Sequence, residues 1–170
     1  MHRIPERSLY PFKEKSLHYE HLIEVNKPIN TLILTRKKLW RGLVLRATQP
    51  ENFLVGLNDC IIREGKDGTL ERKLNFSQTR ILDRVIFTTL HSVRYEIEAT
   101  NEHPGGSLTT SIEEPSEDYL FVRFNYLTTL TQVQDEDSAY YMELVKSAYQ
   151  EADFDTIRRI RQLGEENLLG

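Results

Sequence analysis

The sequence contains one cysteine, Cys60, among its 170 residues. A disulfide within the chain needs two cysteines, and thiolate-based zinc or iron–sulfur sites need several, so both are excluded. Glycine-rich phosphate loops, Gly-x-Ser-x-Gly elbows and His-Glu-x-x-His helices are also absent. We therefore expect neither a metal nor a cofactor.

Long apolar runs are missing as well. No stretch approaches the roughly 18 apolar residues that span a membrane, and the residues after Met1 lack the apolar core of a signal peptide. These absences predict a cytoplasmic protein that does not insert into a membrane. Lys and Arg number 22 against 26 Asp and Glu, and the net charge of −4 has the wrong sign for binding nucleic acid.

The remaining composition is typical of a folded domain. A length of 170 residues with 39% apolar side chains gives a core large enough to contain a cavity. Residues 1–16 contain prolines and charges without a regular period, which predicts a flexible N-terminal arm before a single domain over 17–170. The sequence leaves open whether this domain is a monomer or a homodimer.

Hydrophobic periodicity predicts the order of elements. Alternation over 17–25 is typical of a half-buried strand, and the segments 35–47 and 50–56 have the spacing and capping residues of two short helices. Six further alternating segments, each bounded by turn residues, predict strands at about 58–62, 70–76, 81–87, 93–99, 108–112 and 120–128.

A long C-terminal helix is predicted after the acidic residues 135–137, with Gly164 as its stop. Helical spacing places a stripe of mostly apolar and small residues on one side of it. The residues of this predicted inward stripe are Tyr141, Val145, Ala148, Tyr149, Ala152, Thr156, Ile160 and Leu163.

Several stretches resemble one known family. They are Glu20-His-Leu-Ile-Glu-Val-Asn, Leu39-Trp-Arg-Gly-Leu-Val-Leu-Arg-Ala, Val93-Arg-Tyr-Glu-Ile-Glu-Ala, His103-Pro-Gly-Gly-Ser-Leu-Thr, Ile112-Glu-Glu-Pro, Leu120-Phe-Val-Arg-Phe and Val145-Lys-Ser-Ala-Tyr. Together they are similar to the AtaL-like family of the superfamily of START domains, birch pollen allergens and polyketide cyclases (SRPBCC), over about 17–163. The arm over 1–16 departs from the family.

The resemblance implies an α+β helix-grip fold. In that fold a curved antiparallel sheet of about seven strands wraps around a long C-terminal helix, and two short helices follow the first strand. It also implies a ligand-binding pocket between the sheet and the helix.

Two opposite charges, Arg72 and Asp83, stand where their strands are otherwise apolar. An unpaired charge in a core is costly, and a salt bridge between the two would reduce that cost. In the functional interpretation they line the pocket and orient a carbonyl, phenol or carboxylate of the ligand. The alternatives are an ion pair at the sheet edge or a shifted strand assignment.

Further ligand-binding candidates lie on faces assigned to the interior. Tyrosines combine an apolar ring with a hydroxyl, which suits an aromatic or polyketide-like ligand. Trp40 is placed at the pocket mouth, and Ala152 leaves room beside the helix. Core packing, helix anchoring and close packing against the sheet are the alternatives. Besides Arg72 and Asp83, the candidates are Trp40, Tyr95, Thr110, Phe124, Tyr126, Tyr141, Val145, Tyr149 and Ala152.

Two other reactive residue types are given structural interpretations. His18 and His21 are three residues apart on a strand and therefore lie on opposite faces, which argues against a metal site. Cys60 has no activating motif beside it and is expected to be a buried structural thiol.

Three functions follow from this pattern. The leading hypothesis is a protein that binds an apolar or aromatic small molecule, of lipid or polyketide type, in the pocket. The second is a cyclase or dehydratase in which Arg72 polarises a carbonyl and Asp83 or a tyrosine moves a proton. The third is a protein-interaction module that assists a chaperone, supported by Phe154 on the outer side of the long helix.

Overall fold

The computed structural model describes residues 15–130 and 137–170. Seven strands and two α-helices are present, in the order β1 Lys15–Glu24, α1 Arg36–Thr48, β2 Leu57–Glu64, β3 Leu70–Phe76, β4 Arg80–Thr88, β5 Ser92–Ile97, β6 Gly106–Ser116, β7 Tyr119–Leu130 and α2 Asp137–Glu165. The predicted second short helix is a single 3₁₀ turn, Pro50–Asn52. The predicted arm over 1–16 lies outside the described residues, except that Lys15 and Ser16 begin β1.

The seven strands form one curved antiparallel sheet in the order β1-β7-β6-β5-β4-β3-β2. From β2 to β7 each strand pairs with the next one along the chain, and β1 closes the order by pairing with β7. Because successive side chains of a strand point to opposite faces, each strand contributes every second residue to the inner face, the face covered by α1 and α2. The helix-grip architecture predicted from the sequence is confirmed.

Close approach between β6 and β7 requires a glycine. Gly106 has φ +141°, and a Cβ atom there would lie 2.1 Å from the carbonyl oxygen of Leu127. No other residue type fits that space without moving β7.

Helix α1 begins because Thr35 caps it, accepting a hydrogen bond from the main-chain nitrogen of Lys38 at 3.3 Å. Its buried side includes Leu39 and Leu43, which join the core with β5 and β6. Gly42 permits close contact with α2, since a Cβ atom there would lie 2.5 Å from Ile160.

Helix α2 packs on the sheet with only part of the predicted stripe facing inward. Ile160 and Leu163 are buried as expected, but Tyr141 is 58% exposed, and Ala148 and Ala152 are also exposed. These three inward assignments are therefore wrong. The cause is that Asp153, one position after Ala152, is the residue drawn to the sheet.

The C-terminal end of α2 also differs from the prediction. The helix continues through Gly164 to Glu165. Gly164 is a site of close packing rather than the stop, because a Cβ atom there would lie 2.7 Å from Leu34. Within the residues described, neither helix has the length and apolar character to cross a membrane.

Candidate functional site

Polar side chains cross the inner face of the sheet in a continuous band, which we call the polar belt. The sheet supplies alternate residues of its strands, and the two helices supply residues that face them. Its members are His21, Arg72, Asp83, Tyr95 and Tyr126 from the sheet, Arg46 from α1, and Asp153 and Thr156 from α2.

Arg72 and Asp83 form a fully bonded ion pair within the polar belt. They are register partners on β3 and β4, so they face each other across neighbouring strands. Arg72 Nε and Nη2 donate to the two carboxylate oxygens of Asp83 at 2.8 and 2.6 Å, and Nη1 donates to the carbonyl of Ala47 at 2.9 Å. Both side chains are only 3% exposed. Groups of the protein itself therefore satisfy the hydrogen bonds of this pair, and one of them is a main-chain carbonyl at the C-terminal end of α1.

Tyr95 lies beside that pair with its hydroxyl unsatisfied. The residue is 3% exposed, and its hydroxyl makes no hydrogen bond with any described residue. The guanidinium carbons of Arg72 and Arg46 each lie 5.0 Å from the centroid of its ring. Leaving a buried hydroxyl without a partner costs about 1–3 kcal/mol, so this group is an exception that needs an explanation.

Arg46 brings a second buried cation to the same ring. It is 8% exposed, and its Nε donates to Thr156 Oγ1 at 3.4 Å. Among the described residues no carboxylate forms a salt bridge with it. Burial alone lowers the pKa of Arg46, but the neighbouring oxygens of Tyr95, Tyr126 and Asp153 outweigh burial and raise it. The guanidinium therefore stays charged.

Asp153 is the most buried charge of the polar belt, with 0% exposure. Its Oδ2 lies 2.6 Å from His21 Nε2, and its Oδ1 accepts a hydrogen bond from the hydroxyl of Tyr126 at 2.5 Å. Burial raises the pKa of Asp153 above its ordinary value, although the bonds from Tyr126 and His21 act in the opposite direction. The pKa of Tyr126 is raised as well, first by burial and then by the charge of Asp153.

Hydrogen bonds and ring contacts hold the middle of α2 to β1 and β7. Tyr149 stacks on Tyr126 with ring centroids 3.8 Å apart, and its hydroxyl lies 2.9 Å from Thr128 Oγ1. Gln150 donates to the hydroxyl of Tyr19 at 2.5 Å. The polar attachment therefore spans about two turns of α2, ahead of the apolar attachment at its C-terminal end.

The structure brings five of the predicted site residues to the polar belt or into contact with it: Arg72, Asp83, Tyr95, Tyr126 and Tyr149. Thr110 and Phe124 are 0% exposed and belong to the packed core. Trp40 packs edge-to-face on Phe87 with centroids 6.3 Å apart, which fits the helix-anchoring alternative.

The remaining predicted residues lie on α2. Val145 is half-buried, whereas Tyr141 and Ala152 face outward. Phe154 is 47% exposed, on the outer side as expected. On β2, Cys60 is half-buried rather than buried, and burial is the main cause that raises the pKa of its thiol.

Sequence reasoning missed Arg46, His21 and Asp153 as members of the site. The signal was the one that identified Arg72 and Asp83, a polar residue in an otherwise apolar series. His21 stands between Tyr19 and Ile23 on one face of β1. The same rule applied to the helices identifies Arg46 on α1 and Asp153 on α2.

Two of the cavities formed by described residues lie outside the space between the sheet and α2. One, of about 650 Å³, opens on the outer face of the sheet; Lys73, Arg84 and Glu96 are among its lining residues, and Arg72 and Asp83 of the polar belt also border it. Another, of about 440 Å³, lies on the outward side of α2 beside Phe154. Neither corresponds to the hollow expected between the sheet and the long helix, where side chains of the polar belt pack together.

An apolar surface is nevertheless uncovered on the inner face, next to the Arg72–Asp83 pair. Ile62, the register partner of Arg72, is 37% exposed. Ile81 and Ile97 of β4 and β5 are half-buried. This end of the sheet, formed by β2 to β5, is where a bound molecule would find apolar contact beside fixed charges.

Solved structures of the same fold include enzymes of natural-product pathways. The di-domain aromatase/cyclase StfQ from the steffimycin biosynthetic pathway is 11% identical with a TM-score of 0.68, over 89% of this chain and 51% of that one. The chain thus spans about half the length of StfQ. The Zhui aromatase/cyclase from Streptomyces is 13% identical with a TM-score of 0.63, over 88% of this chain and 96% of that one.

A third solved structure with this fold is a point mutant of norcoclaurine synthase from Thalictrum flavum, in complex with a transition-state analogue. It is 13% identical with a TM-score of 0.62, over 88% of this chain and 96% of that one. No curated protein is significantly similar in sequence. The sequence model of one family, acetylaranotin biosynthesis cluster protein L, matches residues 23–167.

Proposed function

Because the chain belongs to the family of acetylaranotin biosynthesis cluster protein L, we propose that it binds a small molecule with an apolar or aromatic body on the inner face of its sheet. The ligand is of polyketide or lipid type, and it lies beside the polar belt. Ligand sites in proteins are mostly apolar with a few fixed polar groups, which is the composition of this surface.

The observation that carries the proposal is the uncovered apolar surface beside buried charges. A domain that needed only a stable core would cover Ile62 and fill its interior with apolar side chains. Here Ile62 is 37% exposed, while Arg72 next to it is 5% exposed and held in a fixed geometry. Exposed apolar surface beside preoriented polar groups is typical of binding sites.

The similar structures support this class of ligand. Two of them are aromatase/cyclases, one from the steffimycin pathway, and the norcoclaurine synthase holds a transition-state analogue. We place the ligand against Arg72, Asp83, Tyr95, Tyr126 and Tyr149. Trp40, Thr110, Phe124 and Val145 remain predictions as lining residues, as do the cytoplasmic location and the oligomeric state.

Access is proposed beneath the N-terminal half of α2. Tyr140, Tyr141 and Leu144 are 70%, 58% and 51% exposed there, so this half contributes little to the core. Its displacement would uncover the polar belt without disturbing the apolar packing of Ile160.

Asp153 favours a catalytic form of the same proposal, a cyclisation or dehydration of the bound ligand. It is a buried carboxyl group with a raised pKa, held in place by hydrogen bonds with His21 and Tyr126. Enzymes that use general acid–base catalysis tune carboxyl groups in this way.

The test begins with the full chain. The purified protein is extracted with organic solvent to identify any bound compound, and it is then mixed with aromatic polyketide-like phenols and with fatty acids. Binding is measured by native mass spectrometry and by the thermal midpoint. A ligand at about 100 times its Kd should stabilise the protein by about 2.7 kcal/mol. Chromatography of the recovered compounds shows whether any has been converted to a product.

Two variants locate the site. Ile62→Glu places a charge on the inner apolar surface and should weaken binding at least about tenfold, a loss of about 1.4 kcal/mol. Ile61→Glu is the matched control, because Ile61 is the neighbouring exposed residue on the outer face and lines the outer cavity. No binding of any compound, or a greater loss in Ile61→Glu, would contradict the proposal.

A further inference from the structure

The hydroxyl of Tyr95 is buried away from solvent and has no hydrogen-bond partner among the described residues. The residue is 3% exposed, and the hydroxyl oxygen is fully enclosed without a hydrogen bond to any described residue. Other hydroxyls around it are bonded: Tyr126 to Asp153, and Tyr149 to Thr128. A single unsatisfied donor in an otherwise satisfied network marks the position where a missing partner belongs.

The two guanidinium groups near Tyr95 differ in their carboxylate partners. Two guanidinium groups lie 5.0 Å from its ring centroid, but only Arg72 has a carboxylate partner, Asp83. Asp153, the other buried carboxylate, is bonded by His21 and Tyr126. Among the described residues Arg46 therefore forms no direct ion pair, although the charge of Asp153 lies close enough to raise the pKa of Arg46.

We propose that the hydroxyl of Tyr95 and the guanidinium of Arg46 form a subsite for an acidic oxygen of the ligand. This inference rests on the proposed function and names the chemistry of the ligand's polar end. The oxygen belongs to a carboxylate, a phenol or the enol of a β-dicarbonyl group. Tyr95 donates a hydrogen bond to it, and Arg46 supplies the opposite charge.

Arg46 is able to turn toward such an oxygen because it is lightly tethered. Among the described residues its side chain donates one hydrogen bond, the 3.4 Å contact to Thr156 on α2. A charge-assisted hydrogen bond to a ligand oxygen is shorter and stronger than this contact, so Arg46 gains by exchanging one for the other. The raised pKa of Arg46 is consistent with a cation that stays charged when it is buried.

The experiment compares three probes with one aromatic body: 2-naphthoic acid, 2-naphthol and 2-methylnaphthalene. Dissociation constants are measured by calorimetry at pH 7 with the wild type and with Tyr95→Phe. The wild type should bind the acid most tightly and the hydrocarbon least. Tyr95→Phe should weaken the acid and the phenol at least about tenfold, leave the hydrocarbon unchanged, and leave the thermal midpoint equal or higher.

Tyr126→Phe is the matched control for removing a tyrosine hydroxyl. Its hydroxyl has a partner, Asp153, so the thermal midpoint should fall in this variant and not in Tyr95→Phe. Equal binding of the three probes, or an unchanged preference in Tyr95→Phe, overturns the subsite and leaves the proposed function standing. Failure of all three probes to bind overturns both.

Discussion

Two arginines lie over one tyrosine ring, and the fold treats them differently. The guanidinium carbons of Arg72 and Arg46 are each 5.0 Å from the ring centroid of Tyr95. Arg72 donates to both oxygens of Asp83 and to a main-chain carbonyl. Arg46 makes one long hydrogen bond, to Thr156. The first arginine has a direct carboxylate partner, and the second has none among the described residues.

The difference teaches how to separate structural charges from charges held for a ligand. Both arginines are more than nine-tenths buried, so burial does not distinguish them. What distinguishes them is the number and kind of their hydrogen-bond partners. A buried ion pair with all its donors bonded fixes the geometry of a core, whereas a buried cation without a carboxylate retains its capacity to bind.

The largest effect is expected from breaking the satisfied pair. Arg72→Met leaves Asp83 buried without its partner and should lower the free energy of unfolding by about 3–5 kcal/mol, measured by urea denaturation. The double variant Arg72→Met with Asp83→Leu removes both charges and should recover most of that loss. A single variant that loses less than about 1 kcal/mol would show that the pair is not a structural anchor.

An effect of intermediate size is expected for Asp153, another charged residue of the polar belt. Its folded pKa is raised above the ordinary value of 3.8. Between these two pKa values the folded state binds more protons than the unfolded state, so stability falls as pH rises through that interval. The slope for one group is at most about 1.4 kcal/mol per pH unit.

Asp153→Asn should remove this contribution, so the difference in unfolding free energy between wild type and variant should change with pH in that interval. Urea midpoints measured from pH 4 upward test it. Asp155→Asn removes a carboxylate from the same helix outside the polar belt and controls for the change in net charge. A wild-type curve parallel to that of Asp153→Asn would contradict a raised pKa.

The smallest effect is expected at the second arginine. Arg46→Met removes a buried cation that has no carboxylate partner, and its side chain still covers the Tyr95 ring. The free energy of unfolding should stay within about 1 kcal/mol of the wild type in the same urea assay. A loss as large as that of Arg72→Met would erase the distinction between the two arginines.

Most of the fold was accessible from the sequence because most strands have one largely apolar face. Strict alternation, as in 93–97, specifies both the strand and its inner face, and the turn residues between segments specify antiparallel neighbours. The helix α2 was harder. Its predicted stripe contained Thr156, Ile160 and Leu163, which are buried, but an apolar pattern does not select the charged Asp153 and selected the neighbouring Ala152 instead.

The site was only partly accessible for a related reason. Arg72 and Asp83 stood out because their strands are otherwise apolar. The pairing of Asp153 with His21 joins residues 132 positions apart, and no local pattern reports such a contact. Whether the hydroxyl of Tyr95 has a hydrogen-bond partner depends on which groups the folded chain places around it, and only the structure shows that.

Hydrogen bonds hold the middle of helix α2 to the sheet, and apolar packing holds its C-terminal end. Water competes with the first kind of fastening and strengthens the second, so opening should begin on one side and stop where Ile157 meets the core. With such an opening, the proposed ligand would exchange at a rate set by a few polar contacts, while the domain as a whole stays folded.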